Sequence, residues 1–162
     1  KDAVVASMLC AEMVCYYTYL GKTVYRRLCE IYEKYGYVLD KNISVQYSGL
    51  NAMKEMNAVV DALKGMKVTS LSPFAVEAVR DYSVPSRTVC ATGEVQPIDI
   101  PACNCVYYEL EGGSFVCVRP SGTEPKLKIY YSLRAPDEAT AEEKLGELKK
   151  SVDGMLGKAG KN

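Results

Sequence analysis

The chain has 162 residues, a length typical of one domain with a full hydrophobic core. It contains 20 Lys plus Arg and 20 Asp plus Glu, so its formal net charge is zero, which argues against a general nucleic-acid binder with a basic surface. Its seven cysteines are odd in number and irregular in position, a pattern typical of reduced thiols rather than of a disulfide framework. These counts predict a reducing, cytoplasmic environment.

The N-terminal segment has no initiator Met and no basic region before an apolar run, so we expect no signal peptide and interpret the chain as a piece of a longer protein. Residues 3–20 contain only Ser7, Glu12 and Thr18 as plainly polar residues. We predict a buried helix here rather than a membrane span, because a carboxylate in the middle of a span is costly in lipid and three tyrosines reduce the hydrophobicity.

A second helix is predicted from Thr23 to Tyr35, and glycines at positions 21 and 36 end the two helices. We therefore expect an antiparallel helical pair. After residue 37 the apolar period changes to two, which predicts a strand that is half-buried on one face. The alternating apolar residues are Ile43, Val45 and Tyr47.

Residues 51–64 return to a helical pattern, with Asn51 as a candidate N-cap. The predicted apolar face consists of Met53, Met56, Val59, Val60 and Leu63. Prolines interrupt every pattern between residues 66 and 103, so we predict a loop with one strand there. These prolines are Pro73, Pro85, Pro97 and Pro101.

Gly112 and Gly113 separate two strand-like runs, which is typical of a β-hairpin because glycine tolerates the positive φ of tight turns. A third strand begins at Lys126, and an amphipathic helix follows over residues 137–156. These elements predict an α+β fold in which an antiparallel sheet of about four strands packs with helices 51–64 and 137–156, preceded by the helical pair.

Two cysteines, Cys103 and Cys105, are spaced as half of a zinc site. No histidine and no second cysteine pair completes such a site in the sequence, so we predict a pair of thiols at a strand edge and no metal ligand.

Residues 119–125 connect two predicted strands with more chain than a minimal turn needs. Arg119 offers a planar fork of donors, Ser121 and Thr123 offer hydroxyl groups, and Gly122 allows a close approach to its backbone amide. Such donors suit an oxyanion such as phosphate. The alternative is a turn in which the hydroxyls cap backbone groups and Arg119 pairs with Glu124.

The run "RPSGTEPKLKIYY", residues 119–131, resembles the phosphate-binding loop of the α-D-phosphohexomutase superfamily of phosphoglucomutases and phosphomannomutases, and its R-x-S-G-T-E-P signature is unbroken. Residues 1–13 resemble the helix that closes the third domain of these enzymes, and residues 21–45 resemble the crossing into the fourth. The resemblance implies that residues 1–36 are a helical remnant of the preceding domain. Residues 37–162 would then be the C-terminal phosphate-binding domain, which is of the α+β type.

The resemblance also implies which residues hold the substrate phosphate that is not reacting. These are Arg119, Ser121, Gly122 and Thr123, with Lys128 as the basic residue of the following strand and Lys126 as its neighbour. The parent enzyme would interconvert hexose 1-phosphate and hexose 6-phosphate, with glucose the first candidate and mannose the second. It would act through a phosphoserine and a bisphosphorylated sugar, with Mg²⁺ and a hexose 1,6-bisphosphate activator.

The phosphoserine, the aspartate-rich metal loop and the sugar-reading loop of the family do not occur in this sequence. We therefore expect the isolated chain to be inactive, with no catalytic residue of its own, and the sugar is left open between glucose, mannose, glucosamine and a pentose. The expected partners are a phosphosugar and the remaining mutase domains, but no nucleic acid and no membrane.

Two alternatives are a stand-alone module that binds phosphorylated ligands and an oligomerisation domain. The second follows from the apolar helix over residues 3–20, which would be exposed in the absence of the domain on which it packs. We accordingly predict that the isolated chain self-associates. The residues expected to be exposed are Val4, Val5, Met8 and Leu9.

Overall fold

A computed structural model describes residues 2–160, which divide into two compact units between Tyr37 and Val38. The first unit contains the helices α1 (Ala3–Tyr19) and α2 (Val24–Tyr35). The second contains α3 (Ala52–Gly65), α4 (Glu138–Ala159) and a β-sheet.

Helix α1 begins where the side chain of Asp2 accepts hydrogen bonds from the backbone amides of Val4 and Val5, each at 3.0 Å. Its apolar residues lie all around the helix, and none of them is buried. The expectation of a buried helix is therefore wrong, because a helix that is apolar on every side needs cover on every side, and within its unit α1 meets only α2. The exposure predicted for Val4, Val5, Met8 and Leu9 is observed.

The two helices of the first unit enclose an angle of 85°, so the prediction of an antiparallel pair is wrong. Gly21, at a φ of 67°, turns the chain at the end of α1, and the Lys22 amide donates to the Tyr17 carbonyl at 2.8 Å. The Lys22 ammonium also reaches the carboxylate of Glu30 in α2 at 2.7 Å. These contacts fix the sharp bend between α1 and α2. The apolar pattern of each helix predicts the helix itself but not the angle between the two.

No single helix within residues 2–160 is long and apolar enough to cross a membrane. Only α1 and α2 taken together, as a bent pair, meet the length and composition that such a span requires.

The second unit is an eight-stranded sheet in the order β1-β8-β7-β6-β3-β4-β5, with β2 beside β3. The pairs β2–β3, β3–β4, β4–β5, β3–β6, β6–β7 and β7–β8 are antiparallel. The predicted α+β class is confirmed, and the sheet has eight strands where about four were expected. The strands are β1 (Tyr37–Gln46), β2 (Ser70–Leu71), β3 (Phe74–Asp81), β4 (Ser86–Val89), β5 (Val95–Pro97), β6 (Val106–Leu110), β7 (Ser114–Pro120) and β8 (Lys126–Ala135).

The additional strands come from residues 66–103, where a loop with one strand was predicted but four strands are present. The prolines that obscured the pattern lie outside the central ladder. Pro73 precedes β3 and Pro85 precedes β4, while Pro97 ends β5 at the edge of the sheet. Proline is tolerated at these positions because a missing amide hydrogen there removes no bond from a central strand.

One face of the sheet packs against α3 and α4 and forms the core. The strands of the β6–β7–β8 meander bury every second side chain on this face, as their alternation predicts. The buried apolar residues of the meander are Val106, Tyr108, Leu110, Val116, Val118, Leu127, Ile129, Tyr131 and Leu133. The helices contribute Met56, Val59, Val60 and Leu63 from α3 and Leu145, Leu148, Val152 and Met155 from α4.

Two details of α3 differ from the prediction. Asn51 makes no side-chain capping bond, because its backbone, at φ −104° and ψ 9°, lacks the extended conformation of a usual N-cap. Met53 is 39% exposed, since Ala52 takes the inward position in the first turn. By contrast, α4 begins with Asp137, whose carboxylate accepts the Thr140 amide at 2.8 Å.

On the opposite face of the sheet, here called the open face, no helix among the described residues of the second unit packs against the meander. The open face carries an ion-pair network centred on Glu109, whose carboxylate contacts Arg80 at 2.5 Å and Arg87 at 2.7 Å. The predicted hairpin is present at the end of the same strand, where Gly112 and Gly113 have φ values of 71° and 75°.

Candidate functional site

The loop that follows Arg119 lies at the end of the β7–β8 pair. Val118 of β7 pairs with Ile129 of β8, and both side chains are buried in the core. The two strands therefore hold the ends of the loop through core packing, and Pro120 and Pro125 restrict its backbone at both ends.

Three backbone hydrogen bonds fix the loop further. The Ser121 amide donates to the carbonyl of Lys126 at 2.8 Å, and the Lys126 amide donates to the carbonyl of Glu124 at 2.7 Å. The amide of Tyr47, just after β1, donates to the carbonyl of Pro125 at 2.8 Å. The loop is thus attached both to its own hairpin and to the neighbouring edge strand, which organises it before any ligand binds.

Arg119 and Lys128 stand directly opposite each other on β7 and β8. Both side chains are exposed and project from the open face, because their neighbours Val118 and Ile129 point into the core. Within residues 2–160 neither side chain forms an ion pair or a hydrogen bond. Like charges on directly opposed residues destabilise a sheet, and an anion bound between them would offset this repulsion.

The hydroxyl groups of Ser121 and Thr123 make no hydrogen bond with any group in the described part of the chain. Glu124 forms its ion pair with Lys126, at 3.0 Å, and not with Arg119. The alternative in which the hydroxyls cap the turn and Arg119 is neutralised by Glu124 is therefore not the arrangement in this structure. Two hydroxyls and one guanidinium remain available to a ligand.

Gly122 is not required by the local fold. Its φ lies outside the left-handed region, and a Cβ atom built on it would meet nothing within 4 Å. A residue with a side chain would therefore fit here in the absence of a ligand. The absence of a side chain matters only for a group that approaches the loop from outside.

Two features of the open face escaped the sequence analysis. One is the network of Glu109 with Arg80 and Arg87, and the other is a close approach of Cys105 to Cys117, whose sulfur atoms are 3.3 Å apart. The first joins residues on different strands, and the second joins the residue just before β6 to a residue of β7. The register of the hairpin around Gly112 was the available signal for the cysteine pair, because it fixes which residues of β6 and β7 are neighbours.

The predicted pair of Cys103 and Cys105 is not formed. Cys105 contacts Cys117 instead. Cys103 lies in the loop before β6 and is exposed, whereas Cys105 is buried beside Cys117. In the part of the chain that the structure describes, no group of three or more His, Cys, Asp or Glu side chains is arranged to hold a metal ion.

Comparison with known proteins relates the chain to one family. Residues 100–152 match the family described as "Phosphoglucomutase/phosphomannomutase, C-terminal domain". The chain is 31% identical over 122 residues to a phosphoglucomutase of Staphylococcus saprophyticus, a match that covers 74% of the chain and 22% of that protein. It is 28% identical over 148 residues to a phosphoglucomutase of Staphylococcus aureus strain MRSA252, covering 91% of the chain and 27% of that protein.

A solved structure with a similar fold is that of the exocytosis-sensitive phosphoprotein pp63/parafusin, a phosphoglucomutase from Paramecium, in its open form. The TM-score is 0.51 at 12% sequence identity, and the match covers 85% of the chain and 23% of that structure. The chain thus spans about a quarter of the length of the relatives it matches. It belongs to the phosphoglucomutase/phosphomannomutase family and corresponds to the C-terminal portion of its members.

Proposed function

We propose that this chain is the substrate-phosphate-binding domain of a cytoplasmic phosphohexomutase, an isomerase that interconverts hexose 1-phosphate and hexose 6-phosphate. Glucose is the first candidate sugar and mannose the second. The single observation that carries the proposal is the opposed, unpaired pair of Arg119 and Lys128 at the base of a loop with free donors.

The chemistry of the loop matches a phosphate monoester. A guanidinium binds two phosphate oxygens with parallel hydrogen bonds, and an ammonium adds a point charge from the opposite strand. The hydroxyls of Ser121 and Thr123 and the amide of Gly122 supply neutral donors for the remaining lone pairs. The proposed role of these five residues is to bind and orient the phosphate.

Recognition of the phosphate alone has a consequence for the proposed reaction. A sugar bisphosphate must present each of its ends in turn to the phosphoserine, so a site that holds the non-reacting phosphate must accept both orientations. A loop without sugar contacts meets this requirement, because the phosphate is common to both ends. Positioning of this kind is a large part of what catalysis of phosphoryl transfer requires.

Mg²⁺ and the hexose 1,6-bisphosphate activator belong, in this proposal, to the parent enzyme. No cluster of carboxylates suited to a metal ion occurs within residues 2–160, so no step of the reaction is assigned to the ion here. We expect the isolated chain to show no mutase activity with glucose 1-phosphate, bisphosphate and Mg²⁺. A coupled assay for glucose 6-phosphate checks this expectation. Turnover by the isolated chain would contradict the proposal that catalysis requires the other domains of the parent enzyme.

The binding proposal is tested by an NMR titration of amide shifts with glucose 1-phosphate and, separately, with glucose. We expect shifts confined to residues 119–128, with the phosphosugar only. A single loop of this kind should bind with a Kd of about 1 mM, equivalent to about −4 kcal/mol.

The variant Arg119→Ala should abolish these shifts. Arg134→Ala is the matched control, since Arg134 is also an exposed arginine but lies at the far end of β8. It should leave the titration unchanged. Equal shifts in both variants, or equal shifts with glucose and glucose 1-phosphate, would contradict a phosphate site at this loop.

A further inference from the structure

The two cysteines on the open face of the β6–β7 hairpin form a close pair. Tyr107 pairs with Cys117, and Val106 pairs with Val118, so Cys105, the residue just before β6, lies diagonally across from Cys117. The two sulfur atoms are 3.3 Å apart. All seven cysteines lie in the described part of the chain and are free, and among their sulfur atoms only these two are within hydrogen-bonding distance of each other.

The surroundings favour a thiolate on one member of the pair. A hydrogen bond between the two sulfur atoms, in which Cys105 is the donor when Cys117 is ionised, lowers the pKa of Cys117, and the nearby positive charge of Arg119 lowers it further against the opposing effect of burial. The same hydrogen bond, together with burial, raises the pKa of Cys105. Cys117 is only half-buried, whereas Cys105 is buried. A small oxidant can therefore reach the more acidic sulfur first.

We propose that Cys105 and Cys117 are a redox-active dithiol that hydrogen peroxide closes into a disulfide bond between β6 and β7. The Cys117 thiolate attacks one peroxide oxygen, the O–O bond breaks, and the released hydroxide takes a proton to become water. The sulfur of Cys105 then attacks the resulting sulfenic acid and loses its proton, and the S–O bond breaks with release of a second water.

The balance of this reaction is two thiols and one hydrogen peroxide giving one disulfide and two waters. Two electrons leave the sulfur pair and reduce the peroxide. The sulfur atoms must approach from 3.3 Å to about 2.05 Å, a movement that rotation of the two side chains can supply. A thiol such as reduced glutathione would reverse the reaction by exchange.

The other cysteines provide the contrast. Cys10, Cys15 and Cys103 are exposed, and in the described part of the chain none of them has another sulfur atom within hydrogen-bonding distance. The thiol of Cys90 contacts the carbonyl of Val68 at 3.7 Å. The exposed three can form bonds between molecules and would obscure the test. We therefore place the experiment in a chain that carries Cys10→Ser, Cys15→Ser and Cys103→Ser, which retains four cysteines.

The experiment treats this four-cysteine chain with one equivalent of hydrogen peroxide at low protein concentration, then counts thiols after denaturation. We expect the count to fall from four to two, the mass to fall by two hydrogen atoms, and a digest to join the peptides of Cys105 and Cys117. With Cys105→Ser added, Cys117 should stop at the sulfenic acid and be labelled by dimedone.

Four remaining thiols, or a disulfide between Cys29 and Cys90, would overturn the proposal. Phenylarsine oxide gives a second measurement without a substitution in the pair. Its arsenic atom binds two adjacent thiols, so one equivalent should remove two thiols from the four-cysteine chain and none from the chain with Cys105→Ser. All of these measurements report free thiols or a disulfide bond, so their outcome does not depend on whether the neighbouring loop binds phosphate.

Discussion

Gly122 is the residue at which the requirements of the fold and of the proposed ligand differ. Its backbone conformation is open to any residue, and the space around it is empty in the protein. If a phosphate oxygen contacts its amide, a Cβ atom would instead occupy part of the space that the ligand needs. Substitution at this position therefore separates binding from stability.

We expect Gly122→Ala to change the free energy of unfolding by less than about 0.5 kcal/mol. The same substitution should raise the Kd for glucose 1-phosphate by about tenfold, equivalent to about 1.4 kcal/mol. Urea unfolding and the NMR titration measure the two effects. An unchanged Kd would show that the amide of Gly122 takes no part in holding the phosphate.

Glu109 is the residue that joins β6 to β3 and β4 on the open face. Hydrogen bonds from Arg87 and Arg80 hold its pKa below the ordinary value, against the opposing effect of partial burial. A carboxyl with a lowered pKa in the folded state stabilises the fold at every pH above its unfolded pKa, about 4.3. That contribution is lost as the pH falls through the folded pKa.

Removing this charge should weaken the fold in a pH-dependent way. We expect Glu109→Gln to lower the free energy of unfolding at pH 7 by about 1 to 2 kcal/mol, since two guanidinium groups lose their shared acceptor. The difference from the unmodified chain should shrink towards pH 3. Urea unfolding at both pH values measures it, with the exposed Glu111→Gln as control. A difference independent of pH would contradict a charge-based role.

At the scale of elements, two glycines have the same empty surroundings but different backbones. Gly112 turns the β6–β7 hairpin at a φ of 71°, whereas Gly146 lies in the interior of α4 with helical geometry. A Cβ would meet nothing within 4 Å at either position. The effect of an added Cβ atom on the free energy of unfolding therefore depends only on the backbone conformation at each position.

We expect Gly146→Ala to raise the free energy of unfolding by about 0.5 to 1 kcal/mol, because alanine has the higher helix propensity. Gly112→Ala should lower it by about 1 to 2 kcal/mol, because a Cβ disfavours the left-handed backbone. Thermal unfolding of the two variants measures both changes. Shifts of the same sign would show that contacts other than local conformation dominate at these positions.

The elements also differ in how well the sequence predicted them. The buried faces of α3 and α4 follow from a period set within each segment, so Met56, Val60 and Leu145 were placed correctly. The four strands between residues 66 and 103 were missed except one, because each is short and depends on a partner strand for its hydrogen bonds. A two-residue strand such as β2 carries no period of its own.

At the scale of the whole molecule, the apolar surface of α1 determines the expected behaviour of the isolated chain. Val4 is 72% exposed and Met8 is 67% exposed, and none of the residues of α1 is buried. A contiguous apolar surface of this kind is rare on monomers. We therefore expect the isolated chain to self-associate through residues 3–20.

Sedimentation velocity at increasing protein concentration measures this association. The double variant Val4→Gln and Met8→Gln should shift the distribution towards monomer. Leu50→Gln is the control, because it removes an apolar side chain outside α1 that is even more open to solvent. A monodisperse monomer at all concentrations would refute the prediction.

Local sequence information was enough to predict the fold class, the two core helices, the hairpin at Gly112 and the position of the loop that follows Arg119. Each of these depends on information that lies within a few residues: a helical period, a glycine turn or an unbroken signature. The family could be inferred for the same reason, since the signature that carries it is contiguous in the chain.

The residues that meet across the sheet became known only from the three-dimensional arrangement of the strands. This arrangement places Lys128 opposite Arg119 and brings the sulfur atoms of Cys105 and Cys117 into contact. It also pairs Glu124 with Lys126, so Glu124 forms no ion pair with Arg119. The physical reason is that strand register joins positions distant in sequence, and a shift of one residue exchanges the two faces of a strand. Charge pairs and thiol pairs on a sheet are therefore properties of the assembled strands rather than of any one segment.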